Sequence, residues 1–189
     1  MTKGSLFDII IDMIENKIYT NRLVLRKLKE EDNFDWLEML NSEKVGKFIH
    51  QITDVETINK IINKKIEKYK VNKGESFSVI QKGSSKVIGN VELKVDEVEN
   101  SGEISYVFND KFWNNCYATE STVAVINYAF DVLKVDKIVA DCLENNLSSI
   151  HILKDKLKMK QTKSEARVDK ATNKSLNFVY YELKNFKKN

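Results

Sequence analysis

Apolar positions along the chain keep two different rhythms. Val55, Ile58, Ile61, Ile62, Ile66 and Tyr69 fall on one stripe of a 3.6-residue period, with Lys60, Lys64, Lys65, Glu67 and Lys68 elsewhere. This predicts an amphipathic helix that ends near Lys73-Gly74. Beyond it the period becomes two: Ser76–Gln81 and Val87–Leu93 read as strands joined by a turn at Gly83-Ser84-Ser85. A polar loop, Glu97–Gly102, leads to a third strand, Glu103–Phe108. Tyr117–Leu133 predicts a helix apolar enough to be covered on most sides, and Lys137–Leu143 is the continuous apolar run of a central strand. Strand, loop, helix and strand make a crossover, so these two strands should be parallel.

Earlier in the chain, Arg22–Leu28 reads as the first strand. Asp32 is placed to cap a helix with Phe34, Leu37, Met39 and Leu40 as its stripe, and Ser42–Ile49 presents Val45, Phe48 and Ile49 on one face. Later, Asn146–Leu157 predicts a helix with Ser148 as its candidate cap, followed by strands near Lys160–Val168 and Leu176–Leu183. Leu6, Ile10, Met13 and Ile14 fall at helical spacing, so residues 1–19 are expected to be a short helical extension. Residues 20–189 then form a single domain of the α+β class: a mixed, mainly antiparallel sheet of about seven strands flanked by about four helices.

Composition narrows the function. The 189 residues suit one domain with a substantial core. A net charge of +3, with acidic residues interleaved, is too weak a field for nucleic acid to be the primary ligand, yet it permits attraction to a small polyanion. Cys116 and Cys142 offer neither a disulfide framework nor metal spacing, which fits a reducing cytoplasm. With only His50 and His151, neither a metal cluster nor a Ser/His/Asp nucleophile system can be assembled. The apolar N-terminus is interrupted by Asp8 and Asp12, so no membrane anchor is expected there.

The stretch Ser105–Thr119, SYVFNDKFWNNCYAT, is where chemistry is expected. A strand that delivers a loop onto a helix N-terminus aims unpaired backbone N–H groups and the positive end of the helix dipole at one point, which makes an anion site. The residues there resemble the pyrophosphate loop of the GNAT superfamily of acyl-CoA-dependent N-acetyltransferases, Gln/Arg-x-x-Gly-x-Gly/Ala. That pattern falls on Trp113, Asn114, Asn115, Cys116, Tyr117 and Ala118, with Cys116 where the family has its inner Gly. TNRLVLRKLKEED is similar to the opening of the Rim-type (RimJ/RimL-like) branch, GEISYVF to its fourth strand, and ENNLSSIHIL to its Asn-x-x-Ser-x-x-x-Leu helix start.

The resemblance implies a sheet splayed between its fourth and fifth strands, with the pantetheine arm of acetyl-CoA lying in the gap. It implies that Val107, Phe108 and Asn109 offer backbone groups to that arm, and that Asn114, Asn115, Cys116, Tyr117, Ala118 and Thr119 hold the pyrophosphate. Asn146 would meet the pantetheine amides and Ser149 the departing sulfur, although Asn146 equally fits simple helix capping. Glu103 would be the general base; Glu165 is an alternative, and Leu153 stands where other branches carry a Tyr. The implied activity is direct acetyl transfer in a ternary complex to a primary amine, a protein N-terminus or a small molecule, with no metal. Acceptor specificity would lie between Asp32 and Val71 and in the hairpin Asp169–Lys174. A GNAT-fold module that binds acyl-CoA without turnover is the alternative, an RNA-associated role for the lysine face is a third reading, and assembly as a homodimer stays open.

Overall fold

The computed structural model of the chain describes residues 9–14, 16–71, 74–169 and 172–186. Within them nine strands form one sheet in the order β1-β2-β3-β4-β5-β6-β7-β9-β8. The strands are β1 (Ile10–Asp12), β2 (Lys17–Tyr19), β3 (Leu23–Lys27), β4 (Gly74–Gln81), β5 (Val87–Asp96), β6 (Ser101–Phe108), β7 (Lys137–Leu143), β8 (Lys160–Val168) and β9 (Ser175–Lys184). Only β6 and β7 pair in parallel; every other pairing is antiparallel. The expected mixed, mainly antiparallel α+β architecture is therefore what the chain adopts, with two more strands than predicted.

The additional pair is β1–β2, where a helix was expected. Ile9 and Ile11 pack against the core while Ile10 is 66% exposed, a period of two. Ile14, assigned to the helical stripe, is 93% exposed. Tertiary context decides the outcome: the edge of β3 offers a row of backbone groups, and a short segment gains more by pairing with it than by forming one isolated helical turn. Leu6 and the rest of residues 1–8 lie outside the described residues.

Each face of the sheet carries its own helical layer. α1 (Asn33–Leu40), α2 (Glu43–Gly46) and α3 (Val55–Val71) cover one face through Trp36, Met39, Leu40, Val45, Ile58 and Ile62, all at most 5% exposed. Each such aliphatic side chain contributes roughly 1.5–3 kcal/mol by leaving water. Phe34, predicted on this stripe, is 72% exposed, because the buried positions of α1 are 36, 39 and 40. The lysine face of α3 is a solvated one partly tied up in ion pairs, Lys60 with Glu56, Lys70 with Glu67 and Lys65 with Glu92. α4 (Tyr117–Asp131) and α5 (Leu147–Ile150) cover the opposite face, and α5 continues as a π-helical segment, His151–Lys156. Among the described residues no helix is long and apolar enough to cross a membrane.

Asp32 begins α1, but its carboxylate does not cap it. It is buried and accepts from both terminal nitrogens of Arg26 (2.9 and 2.6 Å), from the Ser78 hydroxyl (2.6 Å) and from the Lys29 N–H (3.0 Å). Burial pushes its proton affinity up and the Arg26 and Ser78 bonds outweigh that, so the group stays ionised below the usual carboxylate range. The result ties β3, β4 and the start of α1 together.

Candidate active site

The parallel seam between β6 and β7 is short. Ser101, Gly102 and Glu103 pair with Lys137, Ile138 and Val139, and the pairing stops there although both strands continue. The gap opens a cleft of about 590 Å3. Side chains alternate across a strand, and Glu103 and Val139 are register partners, so Ser105, Val107, Asp141 and Leu143 share one face. That face is the one covered by α1–α3, where Val107 joins their apolar cluster. Ile104, Tyr106, Phe108, Ala140 and Cys142 share the face covered by α4 and α5. The cleft thus runs through the sheet, with Val45, Phe48 and Ile49 at one mouth and the α4 N-terminus and α5 at the other.

At the second mouth the loop after β6 enters α4 in an unusual backbone. Asn114 has φ 63° and Cys116, the N-cap of α4, has φ 61° and ψ 12°. Both lie in the left-handed region that glycine occupies freely. The loop keeps the glycine-type conformation without glycine. Its shape is fixed from behind by Glu120, whose buried carboxylate accepts from the Thr20 hydroxyl, from the Arg22 N–H (3.1 Å) and from Arg22 Nε (2.7 Å). Arg22 Nη2 in turn donates to the Asn115 carbonyl at 2.9 Å, and its guanidinium lies 4.6 Å over the Tyr117 ring. The Tyr117 hydroxyl accepts from Gln81 Nε2 at 2.6 Å. The β2–β3 turn and β4 therefore hold the first turn of α4, whose Tyr117, Ala118 and Thr119 line the cleft.

Of the residues implied by resemblance, Val107, Phe108, Asn114, Cys116, Tyr117, Ala118, Thr119, Asn146 and Ser149 line the cleft. Asn109 and Asn115 do not. The Asn109 N–H donates to the Ile88 carbonyl (3.0 Å), its own carbonyl accepts from Phe112, and its side chain bonds Lys111 N–H and Glu38, so its backbone N–H is already committed within the protein. Asn115 spends its amide on the Phe112 and Trp113 carbonyls and its own carbonyl on Arg22, so it shapes the loop from outside. Phe108 needs Gly89 opposite it: a Cβ there would sit 2.3 Å from the Phe108 ring.

α5 is capped by Asn146, whose Oδ1 accepts from the Ser149 N–H at 3.1 Å, and not by Ser148. Asn146 and Ser149 both line the cleft, so the capping bond does not take Asn146 out of it. Glu103 stands outside the cleft, exposed and paired with Lys94 at 3.1 Å. Glu165 is likewise outside, paired with Lys163. The one carboxylate among the described lining residues is Asp141, which is held by Arg167; that guanidinium lies 4.0 Å over the Phe178 ring. Cys142 lies in the gap with its thiol pushed up to about 11 by burial.

Arg22, Glu120, Asp141 and Tyr106 were missed as site residues by sequence reasoning. A glutamate four residues into an otherwise apolar helix start, beside a Thr-x-Arg opening, was the available sign for the first two. For Tyr106 it was alternation with Ile104 and Phe108.

The acetyltransferase (GNAT) domain family matches residues 22–160, and the chain belongs to that family of N-acetyltransferases. It is 28% identical over 137 residues to the uncharacterized N-acetyltransferase YnaD of Bacillus subtilis (strain 168), covering 72% of this chain and 79% of YnaD. A GNAT-family acetyltransferase structure from Bacillus anthracis superposes with TM-score 0.79 at 25% identity, covering 89% of this chain and 98% of that one. RimL, a ribosomal L7/L12 α-N-protein acetyltransferase, shares the fold with TM-score 0.77 at 12% identity, over 97% of this chain and 98% of its own. So does the microcin C7 self-immunity acetyltransferase MccE in complex with acetyl-CoA and AMP, with TM-score 0.76 at 13% identity, over 87% and 93% of the two chains.

Proposed function

We propose that the chain transfers the acetyl group of acetyl-CoA directly to a primary amine, on a protein N-terminus or a small molecule, within a ternary complex. The observation that carries this reading is the cleft that passes between β6 and β7 from one face of the sheet to the other. A donor held on the α4 and α5 side and an acceptor entering beside α2 would meet inside the sheet, and positioning of that kind supplies much of the barrier reduction for a reactive thioester. The MccE complex with acetyl-CoA supports the choice of donor.

In this reading the pyrophosphate sits on the backbone N–H groups at the start of α4, where the helix dipole favours an anion. The amine attacks in its neutral form, the C–S bond breaks, and the sulfur leaves near Ser149. The Cys142 thiol, pushed up to about 11 by burial, is a poor nucleophile at neutral pH, which supports direct transfer over an acyl group held on that residue.

The one carboxylate among the described lining residues is already paired with Arg167, and this favours a second reading, a module that binds acyl-CoA with little turnover. Calorimetry with acetyl-CoA combined with a thiol-release assay over a panel of amines separates the two. Binding with thiol release for at least one amine is expected; binding without release for any of them would favour the module. Ser149→Ala should lower turnover about 10-fold while leaving acetyl-CoA affinity nearly intact. Unchanged turnover would remove Ser149 from the mechanism.

A further inference from the structure

Tyr106 is a half-buried residue of the cleft whose hydroxyl has unfinished hydrogen bonding. It lies on β6 three residues beyond Glu103, and Cys142 lies on β7 three residues beyond Val139, so the two face each other across the gap just past the last paired residues. The Tyr106 hydroxyl oxygen is buried and has no hydrogen-bond partner among the described residues. The Ser149 hydroxyl on α5 is close enough to ease the phenol's ionisation slightly, yet the two do not meet hydrogen-bond geometry. A buried hydroxyl left without an acceptor costs roughly 1–3 kcal/mol, and such groups require an explanation. A phenylalanine would fill the same space without that cost.

Resting on the acetyl-CoA reading above, we propose that the Tyr106 hydroxyl is the hydrogen-bond donor to the sulfur of acetyl-CoA as it leaves. The pyrophosphate end of the donor is fixed at the mouth, at the start of α4, so its thioester end reaches inward to where β6 and β7 converge, beside Tyr106, Ser149 and Cys142. The phenol of Tyr106, on the neighbouring strand, is a second hydroxyl beside Ser149 in the cleft.

The step balances without transfer of the phenolic proton. The amine nitrogen bonds the acetyl carbon, the C–S bond breaks, and its electron pair leaves on sulfur as thiolate. The amine's surplus proton passes to water, and the thiolate accepts a hydrogen bond from Tyr106. Burial raises the phenol far above its ordinary value. It therefore remains a neutral donor, because giving its proton to a thiol of pKa about 8.5 would be uphill.

Tyr106→Phe tests this with CoA and desulfo-CoA, which lacks the sulfur, as calorimetric probes. Wild-type protein should bind CoA more tightly than desulfo-CoA, by about 10-fold once the pH passes about 8.5 and the thiolate forms, as a hydrogen bond to a charged acceptor predicts. The variant should lose that preference, keep its desulfo-CoA affinity, unfold at the same temperature or higher, and turn over about 10- to 100-fold more slowly. A lower unfolding temperature, or a sulfur preference that survives in the variant, would overturn the assignment. Wild-type protein that bound neither probe would instead overturn the acetyl-CoA reading on which it rests.

Discussion

Replacing Cys116 by glycine is expected to improve the protein. Cys116 holds φ 61° and ψ 12° at the N-cap of α4, a backbone region that costs a non-glycine residue about 1–2 kcal/mol. Glycine removes that cost but gives the unfolded chain extra freedom worth about 0.4–1 kcal/mol. The difference favours the variant by about 0.5–1 kcal/mol. For a chain of this length that raises the unfolding temperature by about 1–4 °C. Because the thiol is exposed and the backbone N–H groups stay where they are, acetyl-CoA affinity should be unchanged or modestly tighter. Calorimetric unfolding and titration read the two quantities in one set of samples. Cys116→Ala keeps the left-handed backbone while deleting the thiol, so it should show neither gain. A fall in unfolding temperature for the glycine variant, or a 10-fold loss of affinity, would refute the claim that the loop needs a glycine conformation and tolerates cysteine only under strain.

Removal of Glu120 attacks the same loop from behind. Glu120→Ala leaves the Thr20 hydroxyl and the Arg22 side chain without their buried acceptor, but Arg22 is 45% exposed and can rehydrate, so a loss of about 2–3 kcal/mol is expected by chemical denaturation, with weaker acetyl-CoA binding. Glu38 governs an acid limb. Hydrogen bonds from Lys111 and Lys86 hold its pKa down to about 2, so its contribution is complete above the unfolded value near 4.5 and is lost as pH falls toward 2. The Glu38 side chain is 31% exposed and solvent screens its ion pairs, so the effect is about 1 kcal/mol, and Glu38→Gln should flatten stability between pH 4.5 and 2 by that amount.

Element order was legible in the sequence wherever periodicity was long. α3 and α4 show a helical stripe over several turns, and β4 to β7 follow from alternation and the crossover rule. β1 was illegible because three residues carry no reliable period and their fate was set by the edge of β2. The left-handed turn before α4 was hidden in the sequence by Cys116, which stands where the resemblance calls for glycine, since a left-handed φ is a property of the backbone that asparagine tolerates and cysteine can be forced into. Asn109 looked like a ligand contact by position alone; only the three-dimensional accounting reveals that the Ile88 carbonyl and Glu38 have claimed it. Glu103 lies outside the cleft for a related reason: the lining begins at Ile104, the next residue, while Glu103 itself is exposed and paired with Lys94. Orphaned hydroxyls such as that of Tyr106 leave no mark in a sequence at all.

The three residue pairs that join β6 to β7 also bear on how the protein survives in a cell. Six strands stand on one side of this seam and three on the other, so the sheet's cooperativity across it rests on few hydrogen bonds and on the helices that straddle them. A ligand lying in the gap would bridge the two parts and be counted in the folding free energy, adding about 2.7 kcal/mol when present at 100 times its dissociation constant. Amide exchange in β7 and β9 would then slow with coenzyme concentration, and the lifetime of the folded chain would track the acetyl-CoA pool around it.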